Sequence, residues 1–506
     1  MKKRIVAFLL AVSLAFIMLP PMRAAAIVFT IEWEYKLDND GNATITSFPN
    51  YDMMHAIQNG LLDRIKVNVP TSIDGHEVVA IGDYAFSNCG SVVSVNIPDS
   101  VTKVGKNPFA GSNISVYVGQ KNKGLAIIDG ILYSKSDKRL VYCPNDYEAE
   151  KVTIPDGIKT IGAMAFKNCE NIKTVVIPGS VVEIEDYAFC GASVNDVKLP
   201  NSVATLGQGV FKDSDISSIT LPSGITEIKD GFFEDCNMLQ KVVIPDSVKR
   251  IGDNAFKCGW ENRKLTTLVL PDGLEEIGRN AFERLSALES VTIPASVSKI
   301  GEGAFNYCSS LKSITVAAEN ARYSAEDNLL YDEERATLIA AGAETTKVTV
   351  KDGTQFIAAY AFAGKNVQSV VMPDTVLDIG ECAFSSCSNL EKVELSESLV
   401  KIGDSAFYRC KKLSKIALPN SLEKIGKECF CSSGLTSIEI PESVKIIGED
   451  AFRYCESLEK VVLPATEIQF GDGIFDYCEN ANYDVPSGSS AEEYLIEFGY
   501  YDWLSA

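Results

Sequence analysis

The chain has 506 residues, of which 46% are hydrophobic, and its formal net charge is −21. This composition is globular, and the length suffices for several ordinary domains or one very elongated one. Four of the 47 Lys/Arg and none of the 68 Asp/Glu lie in residues 1–26, so the remaining chain carries a net charge of −25. Because nucleic acids are bound through Lys and Arg that neutralise phosphates, we expect no nucleic-acid partner.

Residues 1–26 have the order of a secretory signal peptide. Three basic residues at positions 2–4 precede an apolar run that ends at Leu19, and two prolines and the small triplet Ala24–Ala26 follow it. A retained anchor would need about 20 unbroken apolar residues. We therefore predict cleavage after Ala26, export of the mature chain, and no transmembrane segment after cleavage.

The segment EWEYKLDNDGNATITSF, residues 32–48, predicts a hairpin turn. Asp38, Asp40 and Asn42 have the spacing of a calcium loop. However, Ala43 stands where that loop needs glycine, and Pro49 stands where it needs its bidentate glutamate. The segment therefore favours a hairpin over a calcium site, and no metal is expected.

A single phenylalanine recurs along the chain and marks an internal repeat. The separations are 22 or 23 residues, with one of 26 and two of 57. We call these residues the marker phenylalanines and each repeat a coil. The markers are Phe86, Phe109, Phe166, Phe189, Phe211, Phe233, Phe256, Phe282, Phe305, Phe362, Phe384, Phe407, Phe430, Phe452 and Phe475.

The residues before each marker predict one short strand and one turn. Alternating apolar pairs such as Val242/Ile244 indicate a strand with one buried face. A proline eleven residues before most markers, such as Pro245, ends the strand because it lacks an N–H. A glycine four residues before most markers, such as Gly252, predicts a tight turn with positive φ. Such a unit cannot make a core alone, so the array predicts a solenoid of stacked coils.

The segment LESVTIPASVSKIGEGAFNYCSSLKSITV, residues 288–316, resembles the leucine-rich repeats of the BspA-like family of bacterial surface proteins. The resemblance covers about residues 67–486. It implies a leucine-rich-repeat solenoid with one curved parallel β-sheet and short turns or helical segments opposite, capped at both ends. It also implies a non-enzymatic, exported or cell-surface protein that adheres to host matrix proteins, other bacteria or epithelium.

Four regions follow from this reading. Residues 1–26 are the signal peptide, 27–66 an N-terminal β-hairpin cap, 67–486 the repeats, and 487–506 a C-terminal cap. The two 57-residue separations predict enlarged, hairpin-bearing repeats near 110–154 and 306–350. Their similar text, IDGILYSKSDKRLVYC and EDNLLYDEERATLIAA, indicates that a block of repeats was duplicated.

The fourteen cysteines first suggest disulfides in an exported protein. Eight of them stand three residues after a marker, which makes them a repeat position and predicts small buried hydrophobic side chains. Equivalent side chains on neighbouring coils point in parallel, so we expect mostly free, unreactive thiols. The eight are Cys89, Cys169, Cys236, Cys308, Cys387, Cys410, Cys455 and Cys478.

Catalysis is not expected. The chain has two histidines, His55 and His76, and neither a G-x-S-x-G nor a P-loop motif. Convergent acid, base and nucleophile groups are therefore hard to assemble. No catalytic residue and no cofactor are predicted.

The outward-facing residues of the strands are the predicted interaction surface. Fifteen residues before the markers, the column contains hydroxyls, six lysines and a single acid. Within an acidic chain, such a face could attract an anionic glycan or an acidic protein segment. The alternative is that lysines only keep the protein soluble and protect a flat sheet. The candidate binding residues are Lys347, Lys392, Lys415 and Lys460.

The sequence thus predicts a monomeric secreted or cell-surface binding protein. Its expected partner is a host matrix protein, a glycan or a bacterial surface protein. The alternative is a structural spacer of the cell envelope whose faces bind nothing specific. The enlarged repeats are the next candidate site if the lysine column does not bind.

Overall fold

The computed structural model describes residues 2–7, 30–48, 64–259, 264–334 and 336–500. It divides into two compact units, Met1–Gly224 and Ile225–Ala506. Each unit is a β-solenoid in which successive coils pair through parallel strands, as the repeat predicts. The predicted cleavage site after Ala26 and the histidine His55 lie outside the described residues.

The strands that carry the outward-facing residues predicted as the interaction surface form what we call the front ladder. Each strand carries an apolar residue inward between two outward residues, and those that pair do so in parallel. In the first unit these strands are Ile65–Asn68, Val92–Ile97, Ser115–Val118, Lys151–Thr153, Thr174–Val176, Asp196–Lys198 and Ser218–Thr220. In the second they are Lys241–Val243, Ser290–Ile293, Ser313–Val316, Lys347–Thr349, Ser369–Val371, Lys392–Glu394, Ser437–Glu439, Lys460–Val462 and Asn482–Asp484.

The front ladder confirms the strand predicted from Val242/Ile244, and its strands Val92–Ile97, Lys241–Val243 and Ser437–Glu439 each end before the proline that follows. It is not one continuous sheet. Among the described residues, pairing stops between Val118 and Lys151 in the first unit, and in the second between Val243 and Ser290, between Val316 and Lys347 and between Glu394 and Ser437. The interruptions after Val118 and after Val316 coincide with the enlarged repeats.

Opposite the sheet, where short turns or helical segments are expected, the coils have turns together with a second set of short strands, which we call the back ladder. Most of its strands have two residues, and they form because strands of the neighbouring coils supply their hydrogen-bonding partners. In the first unit they are Ala43–Ser47, His76–Ile81, Lys103–Val104, Leu125–Ile128, Ile131–Ser134, Arg139–Tyr142, Thr160–Ile161, Glu183–Ile184 and Thr205–Leu206. In the second they are Glu227–Ile228, Arg250–Ile251, Glu276–Ile277, Lys299–Ile300, Tyr323–Glu326, Leu329–Asp332, Thr337–Ala341, Phe356–Ile357, Asp378–Ile379, Lys401–Ile402, Lys424–Ile425, Ile446–Ile447 and Gln469–Phe470.

The glycine four residues before the marker is required by a close approach of backbones. Neither Gly252 nor Gly448 has a positive φ, so the prediction of a positive φ at this position was wrong. A Cβ on Gly252 would lie 2.6 Å from the backbone nitrogen of Asp230 in the preceding coil. A Cβ on Gly448 would lie 2.4 Å from that of Lys427. Any side chain here would push neighbouring coils apart.

Left-handed backbone occurs instead two residues on either side of the marker. Ser405 and Arg409, which flank Phe407, have φ values of 53° and 57°. The N–H groups of these three residues all donate to carbonyl groups of the following coil, at 2.7 to 2.9 Å. The same pattern recurs along both units. Each turn is therefore a third line of hydrogen bonds between coils, with its donors on one side.

The marker phenylalanines stack inside the coils. All fifteen are at most 3% exposed, which confirms the predicted core. Phe384 and Phe407 lie 5.1 Å apart between ring centroids and are tilted by only 2°. Phe407 and Phe430 lie 5.3 Å apart at 3°. The rings thus continue the strand spacing through the core.

Each enlarged repeat adds strands to the back ladder only. In the first, Leu125–Ile128, Ile131–Ser134 and Arg139–Tyr142 form antiparallel neighbours, and the last pairs in parallel with Thr160–Ile161. The Tyr142 ring packs 5.3 Å from Phe109 and continues the stack of rings. The second enlarged repeat has the same topology.

Buried polar side chains link the coils that flank each enlarged repeat. Asn107 donates through Nδ2 to the carbonyl of Met164 at 2.8 Å, across 57 residues of chain. Lys365 donates through Nζ to the carbonyl of Cys308 at 2.6 Å, again across 57 residues. Burial lowers the pKa of the Lys365 ammonium group.

Both ends of the array carry additional elements. At the N-terminal end, Thr30–Leu37 pairs antiparallel with Ala43–Ser47, and Trp33 and Phe48 pack against Phe86. Lys2–Ala7 pairs antiparallel with Thr30–Leu37, so a chain cleaved after Ala26 would lack that strand. The short strand Ser72–Ile73 pairs antiparallel with His76–Ile81.

At the C-terminal end, the helix Ser490–Glu497 begins at its N-cap Ser489, whose side chain accepts from the N–H of Glu492. Tyr494 and Leu495 from this helix are part of the hydrophobic core of the last coils. No described helix is long and apolar enough to cross a bilayer.

We expect Phe407→Ala to lower the free energy of unfolding by about 3–5 kcal/mol, because it removes a ring that neighbours contact on both sides. Chemical denaturation followed by circular dichroism would measure this. Tyr477→Ala, at a ring that is 54% exposed, is the control and should cost less than about 1 kcal/mol. Equal losses for the two variants would contradict the importance of the ring stack.

Candidate binding surface

The four sequence-predicted lysines all lie on the front side of the second unit. Lys347, Lys392 and Lys460 each begin a front-ladder strand, and the next residue of each strand is buried. Lys415 lies on a segment that forms no strand. All four side chains are exposed, so they are accessible to a partner.

Lys347 and Lys392 are aligned through one intervening strand. Ser369 pairs with Lys347 on one side and with Lys392 on the other. The two lysines are therefore separated by two strand spacings, about 10 Å. The Lys392 ammonium group contacts the carboxylate of Glu394 on its own strand at 2.5 Å. Glu394 offsets part of the attraction that Lys392 could exert on an anion.

Lys415 and Lys460 line one groove. The Lys415 segment interrupts the pairing between Lys392–Glu394 and Ser437–Glu439, which leaves a groove of about 540 Å³. Neither Lys415 nor Lys460 forms an ion pair with a described residue, and Glu439 is the groove's one carboxylate. The structure thus brings two of the four predicted lysines into one groove with opposite charge between them.

Charges on and beside the back ladder are arranged differently, because several lysines there pair with carboxylates of neighbouring coils. Such pairs are exposed and contribute little stability, but each reduces the charge available to a ligand. The Nζ to carboxylate distances are 2.7 Å for Lys299–Glu276, 3.3 Å for Lys401–Asp378, 2.8 Å for Lys427–Glu449 and 2.6 Å for Lys445–Glu423.

The thiols form an internal column rather than a surface. All fourteen cysteines are free, and thirteen are buried, with Cys382 half-buried. The eight cysteines three residues after a marker are all buried, which confirms their predicted place in the core. Burial raises the pKa of Cys89 and of Cys387 to about 12.

These thiols also donate hydrogen bonds. The sequence prediction of small hydrophobic side chains did not include this role. Cys387 Sγ lies 3.0 Å from the carbonyl oxygen of Phe362, the marker of the preceding coil. Cys455 makes the same contact with Phe430 at 3.1 Å. Ser112 takes the same column position and donates to Phe86 at 2.8 Å. Serine and cysteine replace each other at this position of the repeat, and this exchange was the sequence signal that the position needs a hydrogen-bond donor.

No group of three or more His, Cys, Asp or Glu in the described part of the chain is arranged to hold a metal ion. The calcium-like segment forms a hairpin turn, as predicted. Its Asp38 carboxylate accepts from the N–H groups of Asp40 and Asn42 at 3.0 and 2.8 Å. The bond from the Asn42 backbone is the main reason that the pKa of Asp38 is lowered.

We expect iodoacetamide to modify at most Cys382 in the native protein near neutral pH and all fourteen cysteines after denaturation. Mass spectrometry of the labelled peptides would show this.

Rising pH should destabilise the fold, because a buried thiol resists ionisation while the unfolded thiol does not. The stability contributed by neutral Cys89 and Cys387 is complete below pH 9 and is lost as pH rises from 9 towards 12.

Rapid native labelling of several column cysteines would contradict their burial. Native disulfides would contradict the reduced state. The control for the pH effect is the Cys387→Ala variant, which should lose less stability between pH 9 and 12 than the parent.

Several solved structures are similar to this chain. A leucine rich cell surface protein from Faecalibacterium prausnitzii A2-165 is 25% identical, with 92% of this chain and 96% of that chain covered and a TM-score of 0.44. The pneumococcal vaccine antigen PcpA is 19% identical, with 92% and 94% covered and a TM-score of 0.47. A leucine-rich repeat protein from Bacteroides ovatus ATCC 8483 is 19% identical, with 90% and 98% covered and a TM-score of 0.38. No curated protein matches the chain.

The family comparison covers most of the repeat array. The BspA type leucine rich repeat region, in six copies, matches residues 66–135, 141–259, 258–333 and 355–482. These ranges span well over half of the 506 residues and contain all fifteen marker phenylalanines. With the stacked parallel strands and the buried marker column, they show that the chain belongs to the BspA type leucine-rich repeat family.

Proposed function

We propose that this chain is an exported, cell-surface or secreted bacterial protein that binds a host or bacterial protein or glycan through its repeat surface. The contrast between its two ladders supports the proposal. Back-ladder lysines such as Lys299 and Lys401 are paired with carboxylates of neighbouring coils, whereas Lys415 and Lys460 share a groove on the front without ion-pair partners among the described residues. Cations that the fold does not pair are available to an anionic partner.

The favoured partner carries spaced negative charges, as a sulfated or sialylated glycan or an acidic peptide does. The stacking of coils fixes the distances between lysines at multiples of about 4.8 Å. Glu394 and Glu439 lie on the same side and oppose an anion. The attraction should therefore be modest and should weaken with salt.

The second candidate function is a spacer in the cell envelope. It is favoured by the kind of hydrophobic side chain exposed on the front side of the second unit: among the described residues these are valines such as Val243, Val269 and Val371, whereas tight interfaces usually contain buried aromatic anchors. A spacer would show no difference between its front and back lysines. The experiment below separates the two functions on that basis.

We expect the quadruple variant Lys347→Gln, Lys392→Gln, Lys415→Gln and Lys460→Gln to lose retention on immobilised heparin at low salt. The control variant replaces Lys299, Lys401, Lys427 and Lys445, which lie on or beside the back ladder, with glutamine and changes the net charge equally. Elution from the column over a salt gradient is the measurement. Only the front variant should elute at markedly lower salt.

Equal behaviour of the two quadruple variants would show that only net charge matters and would favour the spacer. Circular dichroism of both variants guards against loss of the fold. A glycan and matrix-protein binding array with the mature chain would then identify the partner.

A further inference from the structure

The first enlarged repeat leaves a strand edge open in the front ladder. Ser115–Val118 is the last strand of its sheet, and Lys151–Thr153 is the first of the next. The hairpin between them adds strands to the back ladder without counterparts on the front. The front ladder therefore opens here, because three strands join the back ladder between Ser115–Val118 and Lys151–Thr153 and none joins the front.

The open edge has backbone groups that no strand uses. Gly119 donates its N–H to the carbonyl of Ile97 in the preceding strand at 3.0 Å. Because hydrogen-bonding direction alternates along a strand, the N–H and C=O groups of Val116 and Val118 point to the opposite edge. By the same alternation Ile114 also faces this edge, and it donates its N–H to the Tyr142 hydroxyl at 3.1 Å. The positions of Val116 and Val118 have no such partner among the described residues.

A groove of about 650 Å³ runs along this edge. Its far wall is the loop 144–149, which carries Asp146, Tyr147 and Glu148, and its near wall carries Tyr117, which is 58% exposed. No lysine or arginine lines the groove. It therefore combines aromatic contact area, negative charge and an unpaired strand edge.

The second enlarged repeat provides an internal comparison. Its strand Ser313–Val316 is equivalent, and Ala317 donates its N–H to Ile293 at 2.9 Å as Gly119 does to Ile97. The connection to the next front strand is two residues shorter there. Ala343 in that connection donates its N–H to the carbonyl of Leu311 at 2.6 Å, which ties the loop to the preceding coil. The extra residues of the first repeat therefore set its loop away from the edge.

We infer that the groove beside Ser115–Val118 binds an extended, basic polypeptide segment of a partner, which adds a strand to the open edge. The backbone of the segment pairs with Val116 and Val118, as in other strand-addition complexes. Alternate side chains then lie on the two faces of the added strand, so lysine or arginine on one face reaches Asp146 and Glu148. Apolar side chains on the other face pack against the groove beside Ile127.

This inference rests on the proposed function only in taking the chain to be a binding protein. It concerns a groove in the first unit, whereas the heparin experiment concerns lysines of the second unit. Failure of either experiment therefore leaves the other interpretable. The acidic groove selects a basic partner, whereas the lysine column selects an acidic one.

The test uses an end-blocked, fluorescein-labelled peptide of seven residues that alternates lysine and valine, with fluorescence anisotropy as the readout. The Val118→Pro variant removes one N–H that faces the groove and that the sheet does not use, a position where an edge strand tolerates proline. We expect it to raise the dissociation constant about tenfold. Val316→Pro, the same change in the second enlarged repeat, should leave binding within about twofold of the parent.

Two further arms identify the binding mode. The double variant Asp146→Lys and Glu148→Lys should weaken binding of the lysine peptide and strengthen binding of a matching glutamate–valine peptide. Glu442→Lys with Glu467→Lys, at exposed sites of the second unit, is the charge-matched control. N-methylation of one alternate set of peptide amides should abolish binding, and methylation of the other set should be tolerated.

No saturable binding of the lysine peptide to the parent, or parent-like affinity in a folded Val118→Pro variant, would overturn the inference. Equal binding of both N-methylated peptides would also overturn it, because the attraction would then be purely electrostatic. Thermal unfolding of Val118→Pro beside Val316→Pro establishes that the variants are folded.

Discussion

The hydrogen bond from the N–H of most marker phenylalanines to the carbonyl before the next marker is the contact on which both units depend. It brings the rings within about 5 Å of one another, as between Phe384 and Phe407. This spacing matches that of the front and back strands, so backbone pairing and core packing are satisfied by the same translation. A glycine such as Gly448 keeps the backbones close enough for this translation. The thiols then satisfy a remaining lone pair on the marker carbonyl, as Cys387 does for Phe362.

Much of this arrangement could be predicted from the sequence, because features that recur in every coil are visible as columns. The front strands, the prolines that follow them, the buried Phe column and the buried thiols are all of this kind. The back ladder could not be predicted in the same way. A strand of two residues such as Lys401–Ile402 has no periodicity of its own, and its partner lies 23 residues away in the neighbouring coil. The reason for the glycine column could not be predicted either. A glycine required by a close approach to another coil looks the same in the sequence as a glycine required by a positive φ.

The candidate sites were harder to predict than the fold because they lie where the repeat is broken. The lysine column placed four residues on one side, but the sequence could not show that the Lys415 segment leaves the ladder and joins Lys460 in a groove. It also could not show that Glu394 contacts Lys392. In the first enlarged repeat, the connection is two residues longer and its loop forms the far wall of a groove, whereas Ala343 ties the loop of the second to the preceding coil; the hairpins themselves look alike in the sequence. A regular coil uses its strand edges to hold its neighbours, so free edges occur only at such irregularities.

The one-sided donors of the turns make the two faces of every coil chemically different. One face offers N–H groups and the other offers carbonyl oxygens, so the ends of the array need complementary closures. At the N-terminal end, Phe48 supplies an N–H to the carbonyl of Ala85 at 2.8 Å. At the C-terminal end, the Tyr494 hydroxyl accepts the N–H of Ile474 at 3.1 Å. The two closures are therefore not interchangeable, and two copies stripped of them could join only head to tail.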